Sequence, residues 1–294
     1  VPLILESIYK RIMKNVEKQG KLKLVNNMIK VTNVLDKVHI KIKRKVFKDI
    51  HEALGGNIRL IVSGAAAMDE ELSKSLSGIG LQVYQGYGLT ETSPVIAVEN
   101  DHAMKVGSVG KPLPSVEVKI ENKDEKGIGE IVVKGPNVMI GYYKNNSATE
   151  EVFSDGDWFH TGDLGYIENG YLYITGRKKN VIVQKNGKNI FPEELEILID
   201  HIPGVKESMV YGKPTQDGDL DVCVKIVYDT DAIKDIMGYV QKDDVYSHMK
   251  KHIAEINKNM PAYKHIRDII VTDEEMIKTT TGKVKRHEEI KKIL

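Results

Sequence analysis

Three short clusters in this chain hold the residue types that nucleotide chemistry needs. The first is Gln85-Gly86-Tyr87-Gly88-Leu89-Thr90-Glu91-Thr92. Two glycines without Cβ let backbone approach a ligand closely, and Tyr87 offers an aromatic face to a base. Thr90 presents a hydroxyl donor to a phosphate, and Glu91 a hard carboxylate oxygen for Mg²⁺. The second is His160-Thr161-Gly162-Asp163, where a carboxylate on a turn accepts both hydroxyls of a ribose. The third is Thr279-Thr280-Thr281-Gly282-Lys283-Val284-Lys285-Arg286, a loop that presents a lysine. Each cluster alone has a plainer reading: a turn after a strand, an aspartate that satisfies local amides, a solvated lysine.

Other signatures fail. Gly107-Ser108-Val109-Gly110-Lys111-Pro112 is two residues short of a Walker loop and has no Ser or Thr after the lysine. Gly78-Ile79-Gly80 lacks the third glycine of a dinucleotide fingerprint. The nine histidines show no metal-ligand spacing, and there is no nucleophile elbow.

The elements that must carry the clusters fall into distinct styles. Between residues 10 and 48, eleven Lys and two Arg face only Glu17 and Asp36. Leu24, Met28, Val31, Leu35, Val38 and Ile42 recur there at helical spacing, which predicts a long surface helix. Its basic face is either simply solvated or a patch for anionic lipid heads or an acidic partner; Lys41, Lys43, Arg44 and Lys45 are its densest run. From residue 58 the texture alternates: a strand over 58–62, a helix capped by Asp69 and running to about 76, a strand over 81–84. That is the βαβ pattern of a parallel sheet, so the fold class is α/β. Short strands over 116–120, 130–134 and 171–175, between Gly, Asn and Asp turns, predict a β-rich subdomain. A smaller α+β unit follows, with strands over 181–183 and 222–227, a helix begun by Pro192 and another over 246–259. The boundary falls at Arg177-Lys178-Lys179, giving 1–177 as part of a large domain and 178–294 as a small one.

Composition removes several classes. The 294 residues are 41% hydrophobic and 29% charged, which excludes a disordered chain, a collagen-like repeat and a coiled coil. Forty-three basic against 42 acidic residues leave +1, so no global field recruits DNA, and the basic segment lacks interleaved aromatics. No apolar run reaches the roughly 18 residues of a membrane span. Cys223 alone cannot form an internal disulfide, which favours a reducing compartment. The expected location is the cytoplasm, with association at the inner membrane surface if the basic patch is used. The chain opens Val1-Pro2-Leu3 without an initiator methionine or signal-peptide pattern, so a piece of a longer polypeptide is expected.

Taken in order, the motifs resemble those of the acyl-adenylate-forming superfamily of acyl-CoA synthetases, peptide-synthetase adenylation domains and beetle luciferases. Within it the chain looks most like a bacterial long-chain fatty-acid–CoA ligase. Ser63-Gly64-Ala65-Ala66-Ala67-Met68 matches the turn along adenine, and Tyr87-Gly88-Leu89-Thr90-Glu91 the core motif. Trp158-Phe159-His160-Thr161-Gly162-Asp163 with Gly176-Arg177 matches the ribose site and hinge, and Lys278-Thr279-Thr280-Thr281-Gly282-Lys283 the lysine loop. The opening Val1-Pro2-Leu3-Ile4-Leu5-Glu6 also resembles a long-chain ligase segment. The family's Ser/Thr/Gly-rich phosphate loop is absent, which implies the C-terminal portion of the enzyme and negligible adenylation by these residues alone. Ile277 stands where the lysine loop often has proline.

The resemblance implies substrates ATP, a fatty acid and CoA, with Mg²⁺ as cofactor. It implies that Glu91 holds Mg²⁺, Thr90 bonds the α-phosphate, and Lys283 meets the carboxylate and bridging oxygens. Asp163 anchors the ribose with help from Arg177, and Tyr87 stacks on adenine beside Gly64, Ala65, Gln85, Gly86 and Gly88. The small α+β domain is then a mobile lid that carries the catalytic lysine and rotates about Lys179. That rotation withdraws Lys283 and presents the Gly187-Lys188-Asn189-Ile190 face for the CoA step. Two alternatives stay open: an adenylating ligase for an aryl or amino acid, and a module that binds adenylate without turnover. The oligomeric state is not readable.

Overall fold

The lysine-rich N-terminal stretch keeps one apolar seam, and that seam decides its fold. In the computed structural model, which describes all residues except 1, 39, 65–68, 102, 155–156 and 281, four helices replace the single long one expected. They are α1 (Pro2–Lys18), α2 (Leu22–Lys37), α3 (Lys43–Val46) and α4 (Lys48–Ala53). Gly20, with φ 67°, breaks α1 from α2. Only part of the expected apolar stripe on α2 is buried. Val25, Met28 and Ile29 pack in a cluster with Leu5, Leu72 and Leu76, whereas Leu24, Val31 and Val38 are exposed. The seam carrying Val25 and Met28 meets the neighbouring helices, and the apolar residues to one side of it do not.

Strand β1 (Ile61–Ser63), helix α5 (Glu70–Gly78) and strand β2 (Val83–Tyr87) form the expected βαβ unit. Asp69 starts α5 by accepting the Leu72 N–H at 2.7 Å, and Glu70 and Glu71 suit the helix dipole. Leu72 and Leu76, one turn apart, bury the inner face. The pair β1–β2 is parallel, and β3 (Ala97–Val98) and β4 (Lys111–Pro112) extend the sheet antiparallel.

The β-rich region is a five-stranded sheet of β5 (Glu117–Glu121), β6 (Gly129–Lys134), β7 (Phe153–Ser154), β8 (Trp158–Glu168) and β9 (Tyr171–Arg177), with helix α6 (Asn146–Val152) leading into β7. Ile131, Val133, Phe159 and Leu172 alternate inward to join Ile96 and Ala97 in one core.

The chain divides into two compact units, residues 1–174 and 175–294. The second holds the pair β10 (Ile182–Val183) and β11 (Asn189–Ile190), then α7 (Pro192–Asp200). A three-stranded sheet follows, in the order β12 (Val205–Pro214), β13 (Leu220–Tyr228), β14 (Ile266–Thr272). Helices α8 (Thr230–Met237), α9 (Lys242–Lys258) and α10 (Arg286–Ile293) complete it. Ile199, Val224, Ile226, Ile233, Val245 and Met249 are fully buried between sheet and helices. On the inner face of α10, Glu289 is wholly buried, paired at 2.7 Å with Lys225 and accepting the Ile277 N–H.

Candidate active site

The parallel register of β1 and β2 sets Ser63 beside Gln85, so the two chain segments leave the sheet together. There Gly64 comes close to Gly86: a Cβ on Gly64 would lie 3.3 Å from the Gly86 carbonyl oxygen. Ala65, expected along the adenine turn, lies outside the described residues, as do residues 66–68. Gln85 is held at its backbone, its N–H donating at 2.8 Å to Glu99, a buried carboxylate that also accepts the Lys105 N–H. Burial pushes the Glu99 carboxyl up, and the two backbone donors only partly offset that.

Beyond β2 the chain folds into a tight turn, and Gly88 permits it. A Cβ there would sit 1.7 Å from the Pro94 carbonyl oxygen, so any side chain would force the backbone apart. Thr92, fully buried, ties the turn: its hydroxyl accepts the Leu89 N–H at 3.0 Å and faces the Leu89 and Pro94 carbonyls. The single helical turn Thr90–Thr92 that results exposes Thr90 and leaves Glu91 half-buried.

Asp163 is brought to Tyr87 from 76 residues away, and the Tyr87 hydroxyl donates to its carboxylate at 2.8 Å. The aspartate does not lie on a turn, as its Gly neighbour suggests, but inside β8. Pairing of β8 with β6 jumps from Glu130↔Leu164 to Val132↔His160, so residues 161–163 bulge opposite Ile131. Gly162 takes φ 69° at that bulge, and Thr161 pins it by donating to the Ile131 carbonyl at 2.7 Å. The bulge re-aims Asp163 into the protein, where only 4% of it is exposed.

One participant carries no signal in the sequence. The Tyr142 hydroxyl donates to Glu91 Oε1 at 3.0 Å. Burial first, and then the Glu91 carboxylate, push that phenol above its ordinary value. The same segment is fastened to the turn by Met139 N–H to the Glu91 carbonyl, and by Asn137 Nδ2 to the Thr92 and Val95 carbonyls, all at 2.8 Å.

Arg177, Lys179 and Lys283 belong to the second unit. Arg177 precedes the helical turn Lys178–Asn180, on which Lys179 is exposed. Lys283 is exposed on a small hairpin closed by the bridge Lys278↔Val284. Within it Thr279 N–H donates to the Lys283 carbonyl at 2.8 Å, and Gly282 turns at φ 81°. At the hairpin's base, Arg286 pairs with Glu196 and donates to the Val210 carbonyl. An exposed lysine on a clamped hairpin can be presented with little reorganisation.

The chain matches the family model for AMP-binding enzymes over residues 7–143 and that for the AMP-binding enzyme C-terminal domain over residues 179–293. It belongs to this adenylate-forming family, corresponding to the C-terminal portion of its fold. The long-chain-fatty-acid–CoA ligase FadD15 of Mycobacterium bovis is 43% identical over 175 residues, 59% of this chain and 28% of that protein. The 2-succinylbenzoate–CoA ligase of Oceanobacillus iheyensis is 31% identical over 263 residues, 88% of this chain and 51% of that protein. Among solved structures, ATP-bound MatB from Rhodopseudomonas palustris superposes with a TM-score of 0.67 at 30% identity, over 81% of this chain and 46% of that one. The chain thus spans about half or less of the length of these relatives.

Proposed function

We propose that this chain is part of an enzyme that activates a long-chain fatty acid with ATP and passes the acyl group to CoA. The carrying observation is that Tyr87 and Asp163, 76 residues apart, meet at 2.8 Å beside the Gly64–Gly86 approach and the Thr90–Glu91 turn. In the first step the acid's carboxylate attacks the α-phosphorus of ATP, giving acyl-adenylate and pyrophosphate. In the second the CoA thiol attacks the acyl carbon and AMP leaves.

The residues divide the work by chemistry. Tyr87 gives adenine a face, with Gly64, Gln85, Gly86 and Gly88 allowing close backbone approach. Asp163, already a hydrogen-bond acceptor, takes the ribose hydroxyls with Arg177 assisting. Thr90, exposed, donates to the α-phosphate. Lys283 meets the acid's carboxylate and the bridging oxygens, where anionic repulsion opposes attack. We assign the hinge to Lys179, and to Gly187-Lys188-Asn189-Ile190 the face used in the thioester step.

Glu91 suits Mg²⁺: it is a hard oxygen donor, half-buried, with Tyr142 on one carboxylate oxygen. Among the described residues there is no group of three or more His, Cys, Asp or Glu that could hold a metal. Bound Mg²⁺ neutralises phosphate charge.

The fatty acid is favoured by the 43% identity to FadD15, and a second reading, an aromatic acid, by the relative that covers 88% of this chain. Thioester formation by the intact enzyme with a 16-carbon acid and with 2-succinylbenzoate separates them. Preference for the former supports the proposal, and preference for the latter overturns its substrate class.

For the basic segment we propose peripheral contact with an anionic lipid surface at the inner, cytoplasmic side of the membrane. Leu24, Val31 and Val34 stand exposed on α2 and Val38 just after it, with Lys23 and Lys30 also exposed. The run at 41–45 contributes less than expected. Lys43 pairs with Asp36 at 2.7 Å and Arg44 donates to the Gly56 carbonyl, leaving Lys41 and Lys45 toward solvent. Among the described residues no helix is long and apolar enough to cross a membrane.

A further inference from the structure

Glu91 is fixed at both ends by a segment that lies about fifty residues further along the chain. Its backbone carbonyl accepts the Met139 N–H at 2.8 Å, and its carboxylate Oε1 accepts the Tyr142 hydroxyl at 3.0 Å. Two residues before Met139, Asn137 donates twice, to the Thr92 and Val95 carbonyls, so the whole 89–95 turn is stapled to the 137–142 segment. Tyr142 is in turn fixed at its own backbone, its N–H donating to Thr149 Oγ1 at 2.9 Å beside α6.

An unrestrained glutamate has three rotatable side-chain torsions, and ordering such a side chain costs conformational entropy. A carboxylate that must present one oxygen to a cation therefore gains from a donor that holds the other. Tyrosine suits that task better than lysine or arginine would. It donates one hydrogen bond without adding a positive charge that would compete with a cation for the same carboxylate. Glu91 carries no ion pair to a lysine or arginine among the described residues, and the contact to its carboxylate that the structure shows is this phenol.

We propose that Tyr142 is a positioning residue for the cation-binding carboxylate of Glu91, acting through the Tyr142 Oη–Glu91 Oε1 hydrogen bond. The proposal rests on the reading of Glu91 as the Mg²⁺ ligand. Tyr142→Phe keeps the half-buried ring and removes the donor alone, so packing survives while the glutamate is released to other rotamers. A hydrogen bond to a charged group is worth enough to expect about a tenfold loss of cation affinity.

The test uses the intact enzyme with Mn²⁺ as a spectroscopic stand-in, followed by electron paramagnetic resonance in the presence of ATP. Tyr142→Phe is expected to weaken Mn²⁺ binding about tenfold and to raise by the same factor the Mg²⁺ concentration for half-maximal pyrophosphate exchange. Metal-free AMP binding and the thermal midpoint should stay near wild type. Unchanged Mn²⁺ affinity in Tyr142→Phe, with Glu91→Gln strongly impaired, would overturn the positioning role and leave Glu91 as ligand. A parallel fall of metal-free AMP binding and thermal midpoint would also overturn it, since that is the signature of lost packing. If Glu91→Gln itself binds Mn²⁺ as wild type does, the underlying reading of Glu91 fails and Tyr142 falls with it.

Discussion

Removing the Tyr87 hydroxyl tests whether Tyr87 and Asp163 act as one unit. The hydroxyl donates at 2.8 Å to a carboxylate that is 4% exposed, so Tyr87→Phe removes one hydrogen bond from a buried acceptor while keeping the aromatic ring. A hydrogen bond to a charged group contributes about 1.5–3 kcal/mol, and water cannot easily replace it at so buried a position. If about half of that is felt as misorientation of Asp163 toward ribose, AMP affinity falls roughly three- to tenfold. Asp163→Asn removes the charge proposed to take the ribose hydroxyls and should cost more, on the order of 10–100-fold. Calorimetric titration of AMP into both single variants and the double variant of the intact enzyme measures the coupling. Once the Asp163 carboxylate is gone, loss of the Tyr87 hydroxyl has nothing left to misorient. The double variant should therefore bind within about twofold of Asp163→Asn, a coupling of about 1 kcal/mol. Tyr87→Ala, which also removes the aromatic face proposed for adenine, should lose a further 1–3 kcal/mol or so. Purely multiplicative losses in the double variant would refute the claim that the two residues work together.

Other expected outcomes follow from the same geometry. Gly88→Ala places a methyl 1.7 Å from the Pro94 carbonyl oxygen, so chemical denaturation should show a loss above about 2 kcal/mol, with AMP binding lost alongside. In the second unit, Lys225 and the Ile277 N–H hold the Glu289 carboxyl below its ordinary value of 4.5 against the opposing effect of burial. A carboxylate whose folded pKa is depressed gives stability that is fully present above its unfolded pKa and is lost as pH falls through the folded one. The stability of the enzyme should therefore drop on acidification below about 4.5, and Glu289→Gln should flatten that slope in urea titrations at about pH 3–6. Replacing Lys23, Lys30, Lys41 and Lys45 by Gln should weaken co-sedimentation with vesicles containing phosphatidylserine, by about 1 kcal/mol per lysine near the surface. Unchanged co-sedimentation would remove the membrane proposal.

What the sequence makes legible here is what is local. Asp69 capping α5, Pro192 opening α7 and the strand β6 are readable because cap, helix start and the apolar run Ile131-Val132-Val133 are written in neighbouring residues. The Thr90–Glu91 turn and the Lys283 hairpin are likewise compact motifs whose residues sit together in the chain. Long-range partners are not legible. Tyr142 and Glu91 stand 51 residues apart, and a Gly-Tyr-Tyr run on a loop says nothing about which carboxylate it meets. Asp163 reads as a turn residue because Gly162 precedes it, and the β6 pairing instead makes that glycine a bulge. On α2, more apolar residues satisfy the helical period than one face can bury, so burial of Val25 and Met28 rather than Leu24 and Val31 is decided by packing that the period cannot encode.

The central claim, adenylation by residues of this chain, is tested most directly by ATP–pyrophosphate exchange in the intact enzyme, with long-chain acid present, compared between wild type and Lys283→Ala. Exchange that needs the acid, and that falls by two orders of magnitude or so in Lys283→Ala while AMP still binds, is the expected result. No exchange with long-chain, short-chain, aromatic or amino acids, with AMP binding intact, would contradict it and leave a module that holds adenylate without turning it over.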